Sequence, residues 1–373
     1  MDRETMITCP NCGTRIDVND IFQRLNTDGI DLPLSDWLFS EIKKTSPNFD
    51  EILQDSAIQI YNKTGKGYLF NAYNILQLIH LIVKKRVKID PKLVQKDELK
   101  EFVKVWENLQ APLQSFFNDY LWGQFKINNL SIIPRKIAML PIILYFYKIW
   151  EKGYSFKNIN NLNMKNINIF FIKSQINAWD LQSLVDNFCK IISDVSAKNY
   201  EIFEFPLEQI EEFISIQKKR NIDIFEETFI EYQWFALKIL TPNRIYQFNP
   251  DLKNRFIPEI DHIFPRKLKN RGKDYAKKVE IIWNLQPTKR EINNLKSDFH
   301  PQAFFTDQVK NKRGECVVGS KYVTDYDFLF PVIQGKIDFD DKIWTDPYKF
   351  IDRRRELMLR FLKDTYGIEL YGS

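Results

Sequence analysis

Residues 259–296 read EIDHIFPRKLKNRGKDYAKKVEIIWNLQPTKREINNLK. Two β-prone pieces flank a basic excursion: Ile257 to Phe264 is one, and the other lies within Val279 to Leu285. Thr288-Lys-Arg-Glu291 then matches the Thr-x-x-Glu capping box, which satisfies the first free backbone N–H groups of a helix and predicts one from about Lys289. Strand, excursion, strand, helix is a ββα order. Asn293 and Lys296 are spaced i, i+3 on that helix and so share a face.

Outward from this segment, the chain reads as mainly α (α+β). From Val18 to Gln247 the apolar spacing is helical. Asn71 to Arg86 is apolar on nearly all sides, which predicts a buried helix. Asp97 to Trp122 carries helical spacing with a break expected at Pro112. Further core helices are predicted over Ala138 to Trp150 and Leu181 to Val195, and an amphipathic one over Glu208 to Lys219. The Asn-rich tract 157–166 reads as a loop. Near Asn249-Pro250 the composition turns rich in Pro, Arg and Lys. Asp346-Pro347 is an N-cap and N1 pair, and it starts a terminal helix with Phe350, Leu357, Phe361 and Leu362 on its apolar side. The expected division is a cysteine knuckle over 1–17, a helical domain over 18–247 and a ββα-containing domain with a terminal helix over 248–373.

The chain of 373 residues is long enough for two cores, and 44% hydrophobic with 28% charged residues is a globular composition. The net charge of +5 is too mild to identify a polyanionic partner, so the placement of charge matters more. The longest apolar run, Ile137 to Tyr147, contains Pro141 and is too short for a membrane span. The polar, acidic start does not resemble a signal peptide, and four cysteines fit a reducing compartment, so the expectation is cytoplasmic with no membrane partner.

Chemistry concentrates in 259–296. His262, one of three histidines, has a side chain able to deprotonate water near neutral pH. Asp261 offers a hard oxygen ligand for Mg²⁺ or Mn²⁺. Adjacent residues on a regular strand face opposite ways, so both serve one site only at a strand end or on distorted backbone. Asn293 could complete the protein ligands, and Lys296 could neutralise phosphate charge. An Asp-His dipeptide alone is uninformative, since about one is expected by chance in a chain of this length. The ordered set is specific: apolar-Asp-His-apolar-apolar-Pro, then Asn-Leu, then a capped helix with Asn-x-x-Lys.

That set resembles the HNH (His-Me finger, ββα-metal) endonucleases in the variant whose third motif residue is Asn. DHIFP and NLQPTKREINNLKSD are similar to the nuclease half of GmrSD-type modification-dependent restriction enzymes and to the HNH domain of CRISPR effector nucleases. IFQRLNTDGIDLPLSD, residues 21–36, resembles a segment in the first half of GmrSD-type proteins. The resemblance implies a C-terminal ββα-metal module with His262 as general base and one Mg²⁺ on Asp261 and Asn293. In it, Asn284 holds the loop that orients His262. Few residues precede the 21–36 segment, and neither a ParB-like motif nor a P-loop is found. Nucleotide-dependent activity is therefore not part of what the resemblance implies.

The expected activity is cleavage of DNA, modified targets included, in restriction or anti-phage defence. The alternatives are an RNase or toxin-like nuclease, or a DNA-binding or sensing subunit whose nuclease module is silent or conditional. Arg266, Lys267, Lys269, Arg271 and Lys273 form a basic loop suited to phosphate contacts. A one-metal site cuts one strand at a time, which points to a homodimer; a separate nucleotide-binding or sensor subunit is the other expected partner. Cys9 and Cys12 form half of a zinc ribbon with no second CxxC, so the expectation is an unmetallated pair, with a structural Zn²⁺ shared between chains as the alternative. His80 reads as a core histidine, His300 as a helix-end residue, and Arg353 to Arg355 as the wet face of the terminal helix.

Overall fold

The computed structural model of the chain describes residues 6–8, 15–17, 42, 48–49, 51–53, 55, 71–89, 96–127, 130–217, 223–225, 229, 231–241, 258–268, 273–326, 332–333 and 336–371. These residues are mainly helical, with four two-stranded sheets among them. The chain forms two compact units, residues 1–60 with 70–109, and residues 61–69 with 110–373. The boundary expected near residue 248 therefore falls inside the second unit, because the helices after residue 110 pack directly on the C-terminal elements.

In the first unit, β1 (Met6–Thr8) pairs antiparallel with β2 (Arg15–Asp17). Helix α1 (Ala72–Lys84) starts at Asn71, whose side chain accepts from the Asn74 N–H while Asn74 returns the bond. Its burial on most sides matches its apolar sequence. His80 is a core residue, with Nδ1 2.7 Å from the Arg86 carbonyl and its ring edge-on to Phe102. Helix α2 (Lys96–Ser115) runs through Pro112 rather than breaking there. Pro112 removes one backbone donor, but buried Leu113 and Phe116 follow it and anchor the end of the helix. The helix then widens into a π-helical turn, Phe116–Gln124.

The second unit builds its core from α3 (Leu140–Glu151), α4 (Asn161–Ile176), α5 (Gln182–Lys198), α6 (Leu207–Glu212), β3 (Ile224–Phe225) and α7 (Gln233–Leu240). Tyr120 lies at its aromatic centre, with ring contacts to Phe116, Phe125, Phe146 and Phe171. The tract 157–166 is not a loop beyond residue 160. Asn160 caps α4 through the Asn163 N–H at 2.8 Å, and Met164, Ile167, Phe170 and Phe171 supply a buried face. Asn163 is tolerated inside because it accepts from the Phe205 N–H at 2.7 Å and donates to the Phe203 carbonyl at 3.2 Å. The helix expected over Glu208 to Lys219 is α6 followed by a π-helical turn, Phe213–Gln217.

Next come β4 (Pro258–His262), α8 (Lys273–Lys278), a 3₁₀ turn (Ile282–Asn284), β5 (Leu285–Lys289) and α9 (Arg290–Lys296). Strands β4 and β5 are antiparallel, with Glu259 opposite Thr288 and His262 opposite Leu285. The second strand thus begins where the sequence pattern expects it to end. The capping box does not form either: Thr288 is committed to the sheet, its hydroxyl is buried with no hydrogen-bond partner among the described residues, and Lys289 is the N-cap residue.

The chain continues through α10 (Pro301–Phe305), β6 (Val332–Ile333), β7 (Lys336–Ile337), α11 (Pro347–Tyr366) and β8 (Leu370–Tyr371), which pairs parallel with β3. Asp346 caps α11 through the Tyr348 and Lys349 N–H groups. Phe350, Met358 and Leu362 are fully buried, each worth roughly 1.5–3 kcal/mol of burial. Leu357 and Phe361, expected in the stripe, are only half-buried. Gly367 ends α11 at φ 70°, a left-handed conformation where a Cβ would also strike the Lys165 side chain. Among the described residues no helix is long and apolar enough to cross a membrane.

Candidate active site

Strand β4 alternates its side chains, so Glu259 and Asp261 share one face. His262 is the last residue of the strand, the position that lets an adjacent pair serve one site. Asn284 holds the turn after it. The Asn284 side-chain amide accepts from the Phe264 N–H and donates to the Phe264 and Val279 carbonyls, each at 3.0 Å, and the Asn284 backbone carbonyl accepts from the Ile263 N–H at 2.9 Å. It is fully buried, and all three side-chain bonds are made in a setting where an unmade one costs about 1–3 kcal/mol.

A second clamp grips the same turn from α11. Arg354 is not on a wet face: it is fully buried, and its Nη1 donates to the Trp283 and Leu285 carbonyls at 2.6 and 2.8 Å, while Nη2 donates to Gln286 Oε1 at 3.1 Å. Its planar fork fits divergent carbonyls that flank Asn284.

Asp261 is 4% exposed and held at both oxygens. Lys296 Nζ lies 3.0 Å from Oδ1, and the Tyr326 hydroxyl donates to Oδ2 at 2.8 Å. Lys296 also donates to the His262 carbonyl at 2.7 Å and has no exposed side-chain surface. Its ammonium thus faces Asp261 and the His262 backbone, rather than the position expected of a phosphate contact. The energetic consequence is asymmetric, because removing one member of a buried pair strands the other charge.

Asn293 shares the face of α9 with Lys296, as its spacing requires, but it bonds Glu259: Nδ2 donates to Glu259 Oε2 at 2.8 Å. Arg290 donates to Oε1 of the same carboxylate at 2.6 Å. The Asn293 bond, followed by Arg290, holds the Glu259 carboxyl below its usual range.

His262 Nε2 lies 3.2 Å from Glu280 Oε1 without meeting the geometry of a hydrogen bond, and among the described residues Nε2 is buried with no hydrogen-bond partner. Glu280 Oε2 pairs with Arg266 Nε at 2.9 Å. The His262–Glu280 approach is a short contact rather than a hydrogen bond, since distance alone does not make one. His262 and Arg266 border a cleft of about 490 Å³ that is also lined by Asp261, Lys267, Asn293 and Asp298.

The cleft therefore gathers Asp261, His262, Asn293, Arg266 and Lys267. Lys273 opens α8, whereas Lys269, Arg271, Cys9 and Cys12 lie outside the described residues. His300 begins α10 and packs edge-on against Phe264. Sequence patterns did not single out Glu259, Tyr326, Glu280 and Arg354. Strand alternation from Asp261 was a signal for Glu259; nothing local marked the other three. Oxygens of Asp261 and Asn293 are the hard donors a cation could use here, and both Asp261 oxygens already have partners in Lys296 and Tyr326. No group of three or more His, Cys, Asp or Glu side chains is gathered for a metal among the described residues. No family model matches the chain, and no curated protein matches it at a significant level.

Proposed function

We propose that the chain is a metal-dependent endonuclease of the HNH type, with a ββα-metal module in its second unit, and that it hydrolyses DNA phosphodiester bonds in restriction or anti-phage defence. The observation that carries this is the meeting of Asp261, His262 and Asn293 at one cleft with two cationic side chains, Arg266 and Lys267. His262 takes a proton from a water, which attacks the phosphorus in line as the bond to the 3′ oxygen breaks, and that oxygen takes a proton from solvent water. Asp261 and Asn293 would hold Mg²⁺ or Mn²⁺, which would supply Lewis-acid stabilisation of the charge that develops on the phosphate. Asn284 and Arg354 keep the turn beside His262 rigid, which a base needs for its geometry. Arg266, 57% exposed, can exchange the Glu280 carboxylate for a phosphate.

A second reading, a conditionally active module, is favoured by two observations. Both Asp261 oxygens are already engaged by Lys296 and Tyr326, and a carboxylate stands beside His262 Nε2. The test is to incubate the protein and its His262→Ala variant with plain DNA, modified DNA and RNA, in Mg²⁺ and in EDTA. Mg²⁺-dependent cleavage of DNA lost in the variant supports the proposal. Activity retained by a pure His262→Ala preparation sinks it, and cleavage of RNA alone or silence on all substrates favours the alternatives.

A further inference from the structure

Resting on the nuclease reading above, the geometry points to Glu259 as a positioning residue that fixes which end of the Asn293 amide faces the cation. An asparagine amide carries two donors on nitrogen and an acceptor on oxygen, and a 180° flip exchanges them. Only the oxygen binds a hard cation. Left alone, the Asn293 amide has little to choose between the two orientations.

Glu259 removes that choice. An ionised carboxylate only accepts, so the group that meets Glu259 Oε2 at 2.8 Å must be the Asn293 NH₂. Asn293 Oδ1 is therefore directed away from Glu259. The carboxylate is itself pinned, because Arg290, three residues before Asn293 on α9, holds the other oxygen at 2.6 Å. Glu259 stands two residues before Asp261 on β4, so the strand's alternation places the orienting carboxylate and the proposed ligand carboxylate on the same face. The two carboxylates then divide the work, with Asp261 serving the cation and Glu259 serving the amide. Ligands in metal sites are commonly held by such outer partners, and losing one typically costs 10–100-fold in metal affinity.

The test is a double-variant cycle read by Mn²⁺ binding in isothermal titration calorimetry, without substrate, with circular dichroism as the check on folding. Glu259→Ala and Glu259→Gln are made in the natural protein and in an Asn293→Ala background. Losing the Glu259 charge weakens attraction for a cation in both backgrounds. The orienting effect exists only where residue 293 carries an amide to orient. The expected result is a loss of affinity about tenfold greater in the natural background than in Asn293→Ala. If Glu259→Ala does not fold, Glu259→Gln carries the same comparison. Equal fold-losses in the two backgrounds overturn the inference and leave the metal site standing. No Mn²⁺ binding by the natural protein, or no weakening by Asn293→Ala, overturns the metal reading and this inference with it.

Discussion

The turn that follows His262 makes one substitution especially informative, Asn284→Asp. The two side chains have nearly the same shape, so packing is conserved and the change is one of hydrogen-bond sense. The Asn284 NH₂ faces two groups that can only accept, the Phe264 and Val279 carbonyls at 3.0 Å. With the introduced carboxyl protonated, one of those bonds survives and one is lost, a cost of about 1–3 kcal/mol. Ionised, the carboxylate is fully buried against two carbonyl oxygens. Burial of that kind raises a carboxyl pKa by up to roughly 3–5 units, and each unit is about 1.4 kcal/mol. The folded-state pKa is then above the unfolded one. The variant's penalty is small below about pH 4, near the unfolded carboxyl value. It grows as pH rises through the window between the two values, and levels off above the folded value. At about pH 8 it reaches about 4 kcal/mol or more beyond the lost bond, taking a shift of about 3 units. Asn284→Ala, by contrast, strands the same partners at every pH, with a cost of about 3 kcal/mol if each contributes at the low end. Urea unfolding followed by tryptophan fluorescence at about pH 5 and about pH 8, on either side of most of that window, measures this. If the Asn284→Asp midpoint, relative to the natural protein, is the same at both pH values, the clamp is not built as described.

Arg354→Met keeps much of the stem volume but removes three bonds from a buried guanidinium; the expected cost is about 3–5 kcal/mol. Arg353→Met, beside it on the exposed side, should stay within about 0.5 kcal/mol, and thermal unfolding of the two variants compares them. Asp346→Ala should lose about 1 kcal/mol through the two N–H groups it caps, and Asp346→Asn should recover most of it in the same assay. Neutralising Arg266, Lys267 and Lys269 together should weaken DNA binding and lower the slope of log K against log salt by up to about 2.7, at roughly 0.9 per phosphate contact. An unchanged slope by fluorescence anisotropy would remove this loop from the footprint.

The helical architecture was legible in the sequence because buried helices such as α1 and α3 carry their own signal, an apolar face at helical spacing. The strand bearing Asp261 and His262 was legible too, as was the helix bearing Asn293 and Lys296. The misreadings share one cause: local rules compete with partners distant in sequence. Thr288 has the local pattern of a cap, but pairing with Glu259 claims its backbone for the sheet. Arg354 sits in a run of three arginines that looks solvated, and its acceptors lie about 70 residues upstream. The Asn-rich start of α4 looked irregular because asparagine disfavours helix interiors, yet Asn160 is a cap and Asn163 finds buried partners. Tyr326 reaches Asp261 across 65 residues, a relation no spacing rule encodes.

The reach of Arg354 also sets an order of events during synthesis. The segment carrying Asp261, His262 and Asn293 leaves the ribosome well before the arginine that fastens the neighbouring turn, which lies 71 residues beyond Trp283. Until α11 emerges and docks, the Trp283 and Leu285 carbonyls lack the guanidinium that holds them in the folded protein. A chain interrupted before residue 354 carries every proposed catalytic side chain without the fastening that makes them a site. On the nuclease reading, the site is armed only once synthesis has passed Arg354 and α11 has docked, and a fragment released earlier lacks the rigid turn needed to cut DNA.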